Sequence, residues 1–288
     1  MNVEDKEKIL LRKAESMKKV TQVEYNIFRK YKPLFFVPKK EEDIKNIQPD
    51  IKFCKNDWDT RVWDILIKFQ SSHDKNENQP GRQMRFLVMN KNNNHLLGLI
   101  RLAGPIGMCT IREDYIGWTK ENKFDHKKIN NIVSAQALIP FQPFGDCLGG
   151  KLLARLAITK ELTDWWEKEW GDKLYLLQTM TMSAGVCQYS GLKEYIHLSN
   201  KFDTLNNEDG VERGFYVSNL YSNTRELLKE VDSKPKDDRR KTIEEVINWW
   251  KPKAIRRFNK LKSEDRLKLQ PETYENMYIP PEDNSFFG

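Results

Sequence analysis

Hydrophobic residues recur along this chain with two different periods, and the change of period separates helices from strands. Apolar positions three and four apart predict amphipathic helices over residues 4–31 and 57–70. Apolar runs on both sides of an asparagine-rich turn predict a β-hairpin from Met84 to Leu102. Further strands are predicted at residues 133–140, 174–182 and 215–219.

Helices are predicted between and after these strands. One long helix is expected from Leu148 to Trp170 and a short one over residues 186–195, and a short strand is expected at Met108–Ile111. The C-terminal segment has a helical stripe that ends at Pro252 and resumes as a basic helix, followed by an irregular tail. Alternating strands and helices after an antiparallel hairpin predict an α/β (α+β) fold with a mixed sheet.

The pattern divides the chain into three parts. Residues 1–70 form a helical N-terminal extension, residues 71–220 a core domain, and residues 221–288 a basic helical C-terminal extension with its tail. The 39% hydrophobic content, with 8 Trp and 14 Phe, is enough to fill a sizeable core. We expect a cytoplasmic protein without membrane contact, because no apolar run approaches a membrane span and the first residues do not resemble a signal peptide.

Cysteine and histidine are sparse and spread out. The 4 Cys form no C-x-x-C pair, and the 4 His show no zinc-ligand spacing, so no metal site is predicted. The thiols are expected to be reduced and partly buried, and the alternative for Cys147 is exposure in the glycine turn beside a helix N-terminus, which would lower the pKa of its thiol.

Positive charge is concentrated at the ends of the chain. The net charge is +7, and residues 236–268 hold 12 Lys and Arg against 6 Asp and Glu. Basic flanks around a nearly neutral centre favour contact with nucleic acid, with DNA as the first candidate. Charged helix faces that are merely solvated remain the alternative. The predicted phosphate contacts are Arg239, Arg240, Lys253, Arg256 and Arg257.

A glycine-rich turn joins the 133–140 strand to the helix that follows it. Backbone amides at such a junction, where the helix dipole is positive, favour an anionic group, and we predict cofactor binding by Gly145, Gly149, Gly150 and Lys151. The spacing is close to a P-loop, but Leu152 replaces the hydroxyl that would hold Mg²⁺, which argues against a nucleotide hydrolase. A turn that serves close strand–helix packing is the alternative.

Several motifs together resemble a known family. Arg112–Trp118, the Asp164-Trp165 pair, the Gln178-Thr179 pair and the segment Cys187–Ser190 are similar, in this order, to motifs of the GNAT-related DruA-like family of the Druantia anti-phage systems. The resemblance covers residues 84–219 and extends more distantly to the phage Mom DNA-modification proteins. It implies a GNAT-like mixed, mostly antiparallel sheet.

The resemblance also implies a function. A protein of this kind would transfer an acyl-like group to a base or amine, taken from an acyl-CoA-type donor at the glycine turn. Tyr189 would then be the acid for the leaving thiolate, and Gln178 stands where the family carries an acidic residue. Because that carboxylate is missing, a non-catalytic structural or interaction protein of a phage particle or defence complex, with protein partners, is the alternative.

Overall fold

The computed structural model describes residues 3–71, 81–181, 186–199 and 213–280. In this part of the chain the strands are β1 (Pro49–Phe53), β2 (Gln83–Asn90), β3 (Leu96–Ala103), β4 (Ile132–Pro140), β5 (Leu176–Met180), β6 (Ile196–Ser199) and β7 (Phe215–Asn219). They form one seven-stranded sheet in the order β1-β2-β3-β4-β5-β7-β6. Within these ranges β4 and β5 pair in parallel, and the other neighbouring strands are antiparallel. The predicted mixed, mostly antiparallel sheet is confirmed.

The described helices are placed before, between and after these strands. They are α1 (Val3–Met17), α2 (Gln22–Tyr31), α3 (Glu41–Lys45), α4 (Asp57–Gln70), α5 (Thr110–Ile116), α6 (Gly149–Leu156), α7 (Lys160–Trp170), α8 (Thr224–Lys229) and α9 (Ile243–Ser263). Side-chain caps fix three of the starts. Thr21 and Thr242 form capping boxes for α2 and α9, and the Asn56 side chain accepts from the Asp59 amide at the start of α4.

The sheet is covered on both faces. We call the side that carries α6, α7 and α9 the α9 face, and the side that carries α4 and α5 the α4 face. A large apolar cluster fills the α9 face and includes Leu153 and Trp250. Two smaller clusters lie on the α4 face, one around Trp63 of α4 and one around Ile116 of α5.

Parallel strands need a connection that crosses the sheet, and α6 with α7 provides it between β4 and β5. The prediction of one helix from Leu148 to Trp170 is wrong, because the chain leaves the helix between Leu156 and Lys160. Thr159 has an extended backbone there, and its hydroxyl donates to the Leu156 carbonyl at 2.7 Å. This break lets the crossover bend along the sheet.

The N-terminal helix predicted over residues 4–31 is likewise divided. Thr21 is extended and caps α2 together with Glu24, so α1 and α2 are separate helices. Thr21 and Glu24 match the Thr-x-x-Glu signature of a helix start. The hydrophobic pattern alone does not show this start, because its apolar spacing continues across the break.

Other local predictions fail for tertiary reasons. Pro252 lies inside α9, where buried Trp250 and Phe258 hold both sides of the helix against the core. Residues 186–195 form turns instead of a helix, and the strand expected at Met108–Ile111 is the start of α5. The short strands β1 and β6 were not predicted, because neither has a long apolar run. The last part of the expected tail, from residue 281 onward, lies outside the described residues.

The sheet includes a strand from the predicted N-terminal extension, which concerns the predicted division of the chain into three parts. β1 belongs to the segment predicted as an N-terminal extension, yet it pairs with β2 of the predicted core. The three-part division stays a prediction. Of the helices that the structure describes, none has both the length and the apolar character that crossing a membrane requires.

The sheet and the crossover pack closely at Gly98 of β3. A Cβ there would lie 2.6 Å from the Ile139 carbonyl oxygen and 2.7 Å from Leu153 Cδ1. We expect Gly98→Ala to lower the free energy of unfolding by about 1–3 kcal/mol, because neither backbone nor core side chain can move away freely. Urea denaturation measures this change.

Gly107→Ala is the matched control, since nothing lies within 4 Å of a Cβ at Gly107. It should change the stability by less than about 0.5 kcal/mol. Equal effects of the two substitutions would contradict the packing described at Gly98.

Candidate functional site

The glycine turn lies between β4 and α6, as the sequence predicts, and protein atoms fill the space beside it. Leu148 has a left-handed backbone with φ 64°, and α6 begins at the next residue. A Cβ on Gly149 would lie 2.7 Å from the Phe144 ring, and one on Gly150 would lie 2.7 Å from Gln188 Oε1. Close packing therefore explains why glycine is needed at both positions, and no ligand is required for that explanation. Cofactor binding at this turn stays a prediction.

The remaining members of the predicted cofactor site are also in contact with protein. A Cβ on Gly145 would collide with the Gln142 side chain. The Lys151 ammonium donates to the Ser190 backbone carbonyl, and burial lowers its pKa. A bound pyrophosphate would have to displace residues 188–190 from the N-terminus of α6.

Cys147 is a buried thiol, as expected for the cysteines of this chain, and the alternative of an exposed Cys147 is wrong. Its side chain is fully buried in the core of the α9 face, and burial raises the pKa of the thiol to about 12. A thiol in this environment is protonated at neutral pH and unreactive.

Tyr189 lies inside the core of the α9 face, beside the end of the β4–β5 pairing. Its hydroxyl is 2.8 Å from Thr179 Oγ1 and accepts from Gln188 Nε2 at 3.0 Å. Burial raises the pKa of Tyr189 to about 12. The hydroxyl is neutral and fully engaged at pH 7, so a role as general acid stays a prediction that requires a leaving group to enter this core.

Gln178 is on the other side of the sheet. Successive residues of a strand point to opposite faces, so Gln178 and Thr179 of β5 do too. The Gln178 side chain lies on the α4 face, where its Oε1 accepts from Arg112 Nη1 at 3.2 Å. The two residues predicted as catalytic therefore do not converge on one point.

The Arg112–Trp118 motif ties α5 to the sheet. Arg112 is fully buried and donates to the Ile106 carbonyl at 2.8 Å as well as to Gln178. Its neighbour Glu113 accepts from Arg112 at 3.3 Å and from Lys123 at 2.6 Å. This ion-pair cluster fixes the loop after β3 and gives the motif a structural role.

The predicted nucleic-acid contacts lie on the α9 face and divide into two kinds. Arg240 is neutralised, because it reaches Asp238 and Asp164 at 3.0 Å and Glu167 at 3.7 Å. The other four predicted phosphate contacts make no ion pair with any described residue, and the same holds for Lys193, which the sequence did not indicate. These five cations, which we call the basic surface, are Lys193, Arg239, Lys253, Arg256 and Arg257.

A chain of contacts joins the two ends of the basic surface. A cleft of about 160 Å³ is lined by Lys193, Glu194 and Arg239. Glu194 pairs with Arg155 of α6, whose guanidinium lies 3.9 Å from the centre of the Trp249 ring. The Lys253 ammonium lies 4.5 Å from the same ring. Residues far apart in sequence thus share one surface.

The next turns of α9 continue this surface. Arg257 Nε donates to the Asp146 carbonyl at 3.3 Å, which leaves its charge without a carboxylate, and Arg256 is exposed. Within the described residues no group of three or more His, Cys, Asp and Glu is placed to hold a metal ion.

The fold and this surface define a mixed α/β protein with one large sheet and a basic helical face. The family model described as Druantia protein DruA matches residues 3–190. The chain belongs to this family, which is one of anti-phage defence systems. The resemblance found in the sequence is confirmed at the family level.

A curated relative, Druantia protein DruA of Escherichia coli (strain UMEA 4076-1), is 34% identical over 104 residues. This match covers 36% of the present chain and 25% of the relative, so the similarity extends over about a quarter of that protein. No solved structure matches the chain.

Sequence reasoning missed the residues that connect the basic surface. Arg155 is surrounded by apolar residues of α6, Trp249 lies beside the apolar stripe of α9, and Lys193 is in a turn where the sequence predicts a helix. An arginine flanked by the apolar residues of α6 is the signal that could have identified Arg155. Its partners could not be identified, because they come from other parts of the chain.

The Tyr189 hydroxyl supports a stability prediction. We expect Tyr189→Phe to cost about 0.5–1.5 kcal/mol, the value of one buried hydrogen bond. The pKa is raised from 10.0 to about 12, so the contribution is complete below pH 10 and declines as the pH rises toward 12. Denaturation curves between pH 7 and pH 11 measure both effects.

Tyr31→Phe is the control, because the Tyr31 hydroxyl makes no hydrogen bond within the described residues. It should leave stability nearly unchanged at every pH. A Tyr189→Phe variant as stable as the original protein would show that the buried hydroxyl contributes nothing.

Proposed function

We propose that this DruA-family protein is a nucleic-acid-binding component of an anti-phage defence system, with DNA as its first candidate ligand. The observation that carries the proposal is the basic surface on the α9 face. Its five cations have no carboxylate partner among the described residues, although the chain holds 42 acidic residues that could neutralise them. Lys and Arg without local partners are available for phosphate oxygens.

The geometry of the surface suits a phosphate backbone. Lys253, Arg256 and Arg257 lie within two turns of one helix, and Arg239 and Lys193 extend the surface beyond its N-terminal half. Arg155 and Lys253 both contact Trp249, which holds the side chains of this region in place. Contacts of this kind orient a nucleic acid without reading its sequence.

Arg240 has a positioning role in this proposal. Its ion pairs with Asp164 and Asp238 fix the segment that carries Arg239 against α7. Substituting Arg240 would therefore disturb the surface indirectly, and Arg240 is unsuitable as a test of phosphate contact.

The first experiment measures DNA affinity against salt concentration for a short fluorescent duplex. The slope of log K against log salt should be reduced by about 2–3 in the triple variant Arg239→Gln, Lys253→Gln, Arg256→Gln, because each phosphate contact contributes about 0.9. The affinity itself should fall at low salt.

A matched control removes three exposed cations beside α5 on the α4 face, by Lys120→Gln, Lys127→Gln and Arg225→Gln. The net charge changes equally, so this variant should keep the original slope. Equal losses in both variants would mean non-specific attraction, and no salt-dependent binding at all would overturn the proposal. A single-stranded RNA of the same length tests whether DNA is preferred.

A second function, acyl transfer on a GNAT-like fold, is favoured by one specific observation. The parallel β4–β5 pair with a glycine turn and helix between its strands is the arrangement that the resemblance to acyltransferases implies. The contacts of Tyr189 and Gln188 argue for binding over catalysis, because they fill the space where a donor would enter. The non-catalytic interaction protein therefore remains the alternative to the enzyme.

Native mass spectrometry with acetyl-CoA tests the acyl-transfer function. If the glycine turn is a cofactor site, the protein should retain an acetyl-CoA adduct that is lost in Gly150→Val, because the larger side chain blocks the N-terminus of α6. Gly107→Val is the control, since open space surrounds that position. If the original protein, without any substitution, retains no adduct at saturating acetyl-CoA, the glycine turn is not a cofactor site.

A further inference from the structure

The centre of the α4 face carries a buried arginine whose charge is incompletely satisfied. Arg101 of β3 is 1% exposed, and its guanidinium makes one described hydrogen bond, from Nη2 to Gln83 Oε1 at 2.6 Å. Its buried Nε has no hydrogen-bond partner. A buried charge is costly unless it is paired and hydrogen-bonded, so this arrangement requires an explanation.

The other buried arginines also carry nitrogen atoms without a hydrogen-bond partner, namely Nε of Arg112 and both Nε and Nη1 of Arg155, but each of them has a carboxylate partner. Arg112 reaches four acceptors, one of them the Glu113 carboxylate, and Arg155 pairs with Glu194. Arg101 has no ion pair of this kind within the described residues. The difference separates Arg101 from arginines that merely tie elements together.

The surroundings of Arg101 add positive charge. Arg85 lies directly opposite it in the β2–β3 register, and like charges at such positions repel. Asp64 of α4 balances this in part, but its Oδ1 is held by Arg85 Nε at 3.0 Å. Burial and the charge of Arg85 both lower the pKa of Arg101, while Asp64 opposes them.

The neighbouring positions leave the site polar and close to solvent. In the adjacent row of the sheet, Gln83, Ala103, Ser134 and Gln178 are paired in register across four strands. The two central side chains of this row are small. Gln83 and the Arg85–Asp64 pair are each partly exposed, whereas Arg101 is 1% exposed, so an anion would reach Arg101 when these neighbouring side chains move aside.

We propose that Arg101 is the main residue of an oxyanion-binding site on the α4 face, which takes a phosphate or carboxylate group. The anion would receive hydrogen bonds from the free edge of the Arg101 guanidinium and would neutralise the Arg85–Arg101 repulsion. A planar guanidinium fork matches both kinds of oxyanion. The site is on the opposite side of the sheet from the basic surface. A test of anion binding at Arg101 is therefore independent of whether the basic surface binds nucleic acid.

The test compares the full chain with Arg101→Met in inorganic phosphate, acetate and chloride at equal ionic strength. Phosphate or acetate should raise the melting temperature of the original protein in a saturable way, and whichever does so identifies the class of anion. Arg101→Met should bind that anion at least about tenfold more weakly by calorimetry. Without anion it should be as stable as the original protein or more so, because an apolar side chain replaces an unpaired charge.

Two further variants keep the test decisive. Arg101→Lys retains the charge without the fork and should keep part of the response, and it serves if the methionine variant does not fold. Lys120→Met removes an exposed cation that belongs neither to the basic surface nor to the surroundings of Arg101, and this variant should respond like the original protein. Equal anion responses with and without Arg101, no saturable response at all, or a loss of stability in Arg101→Met that anions do not affect would each overturn the site.

Discussion

The parallel pairing of β4 with β5 is the constraint on which the rest of the structure depends. Two parallel neighbours force the chain to cross the sheet, and here the crossover consists of α6 and α7. The crossover approaches β3 so closely that Gly98 cannot carry a side chain, and it presents the surface on which α9 packs through Trp250. The basic surface exists because α9 is held in this place.

The charge of a cation in this chain is compensated in different ways. The cations of the basic surface are at the surface of the α9 face, where water solvates them and a phosphate backbone can reach them. On the α4 face, Arg101 and Arg112 are taken out of water, and the cost depends on their partners. Arg112 has a carboxylate and several other acceptors inside the protein, whereas the described residues give Arg101 one hydrogen bond, to Gln83, and no carboxylate, which is why we propose a ligand for Arg101 and a structural role for Arg112.

Family membership and site geometry contribute different parts of the functional argument. Membership of the DruA family connects the chain with anti-phage defence, while the match to the curated relative spans a quarter of that protein. The proposals about nucleic acid and anions come from the positions of side chains. The filled glycine turn and the separation of Tyr189 from Gln178 move the balance from catalysis toward binding.

Periodicity predicted most elements of the sheet and α4, because a long amphipathic element carries its pattern in its own residues. It failed where distant residues decide, as at Pro252, which the packing of α9 tolerates, and at Thr159, which divides the crossover. Short strands such as β1 and β6 also escaped, since a few residues hold too little pattern and gain their stability from the neighbouring strand.

The sequence by itself determined the mixed sheet, the glycine turn, the family and the concentration of positive charge near the C-terminus. Only the tertiary structure decided which of these charges are free and which candidate residues meet. The free energy of burying or pairing a charge depends on neighbours that only the fold brings together, as for Arg240 with Asp164 and Arg101 with Arg85. Such neighbours are not encoded in the local spacing of residues, so the partners of a charged side chain appear only once the chain is folded.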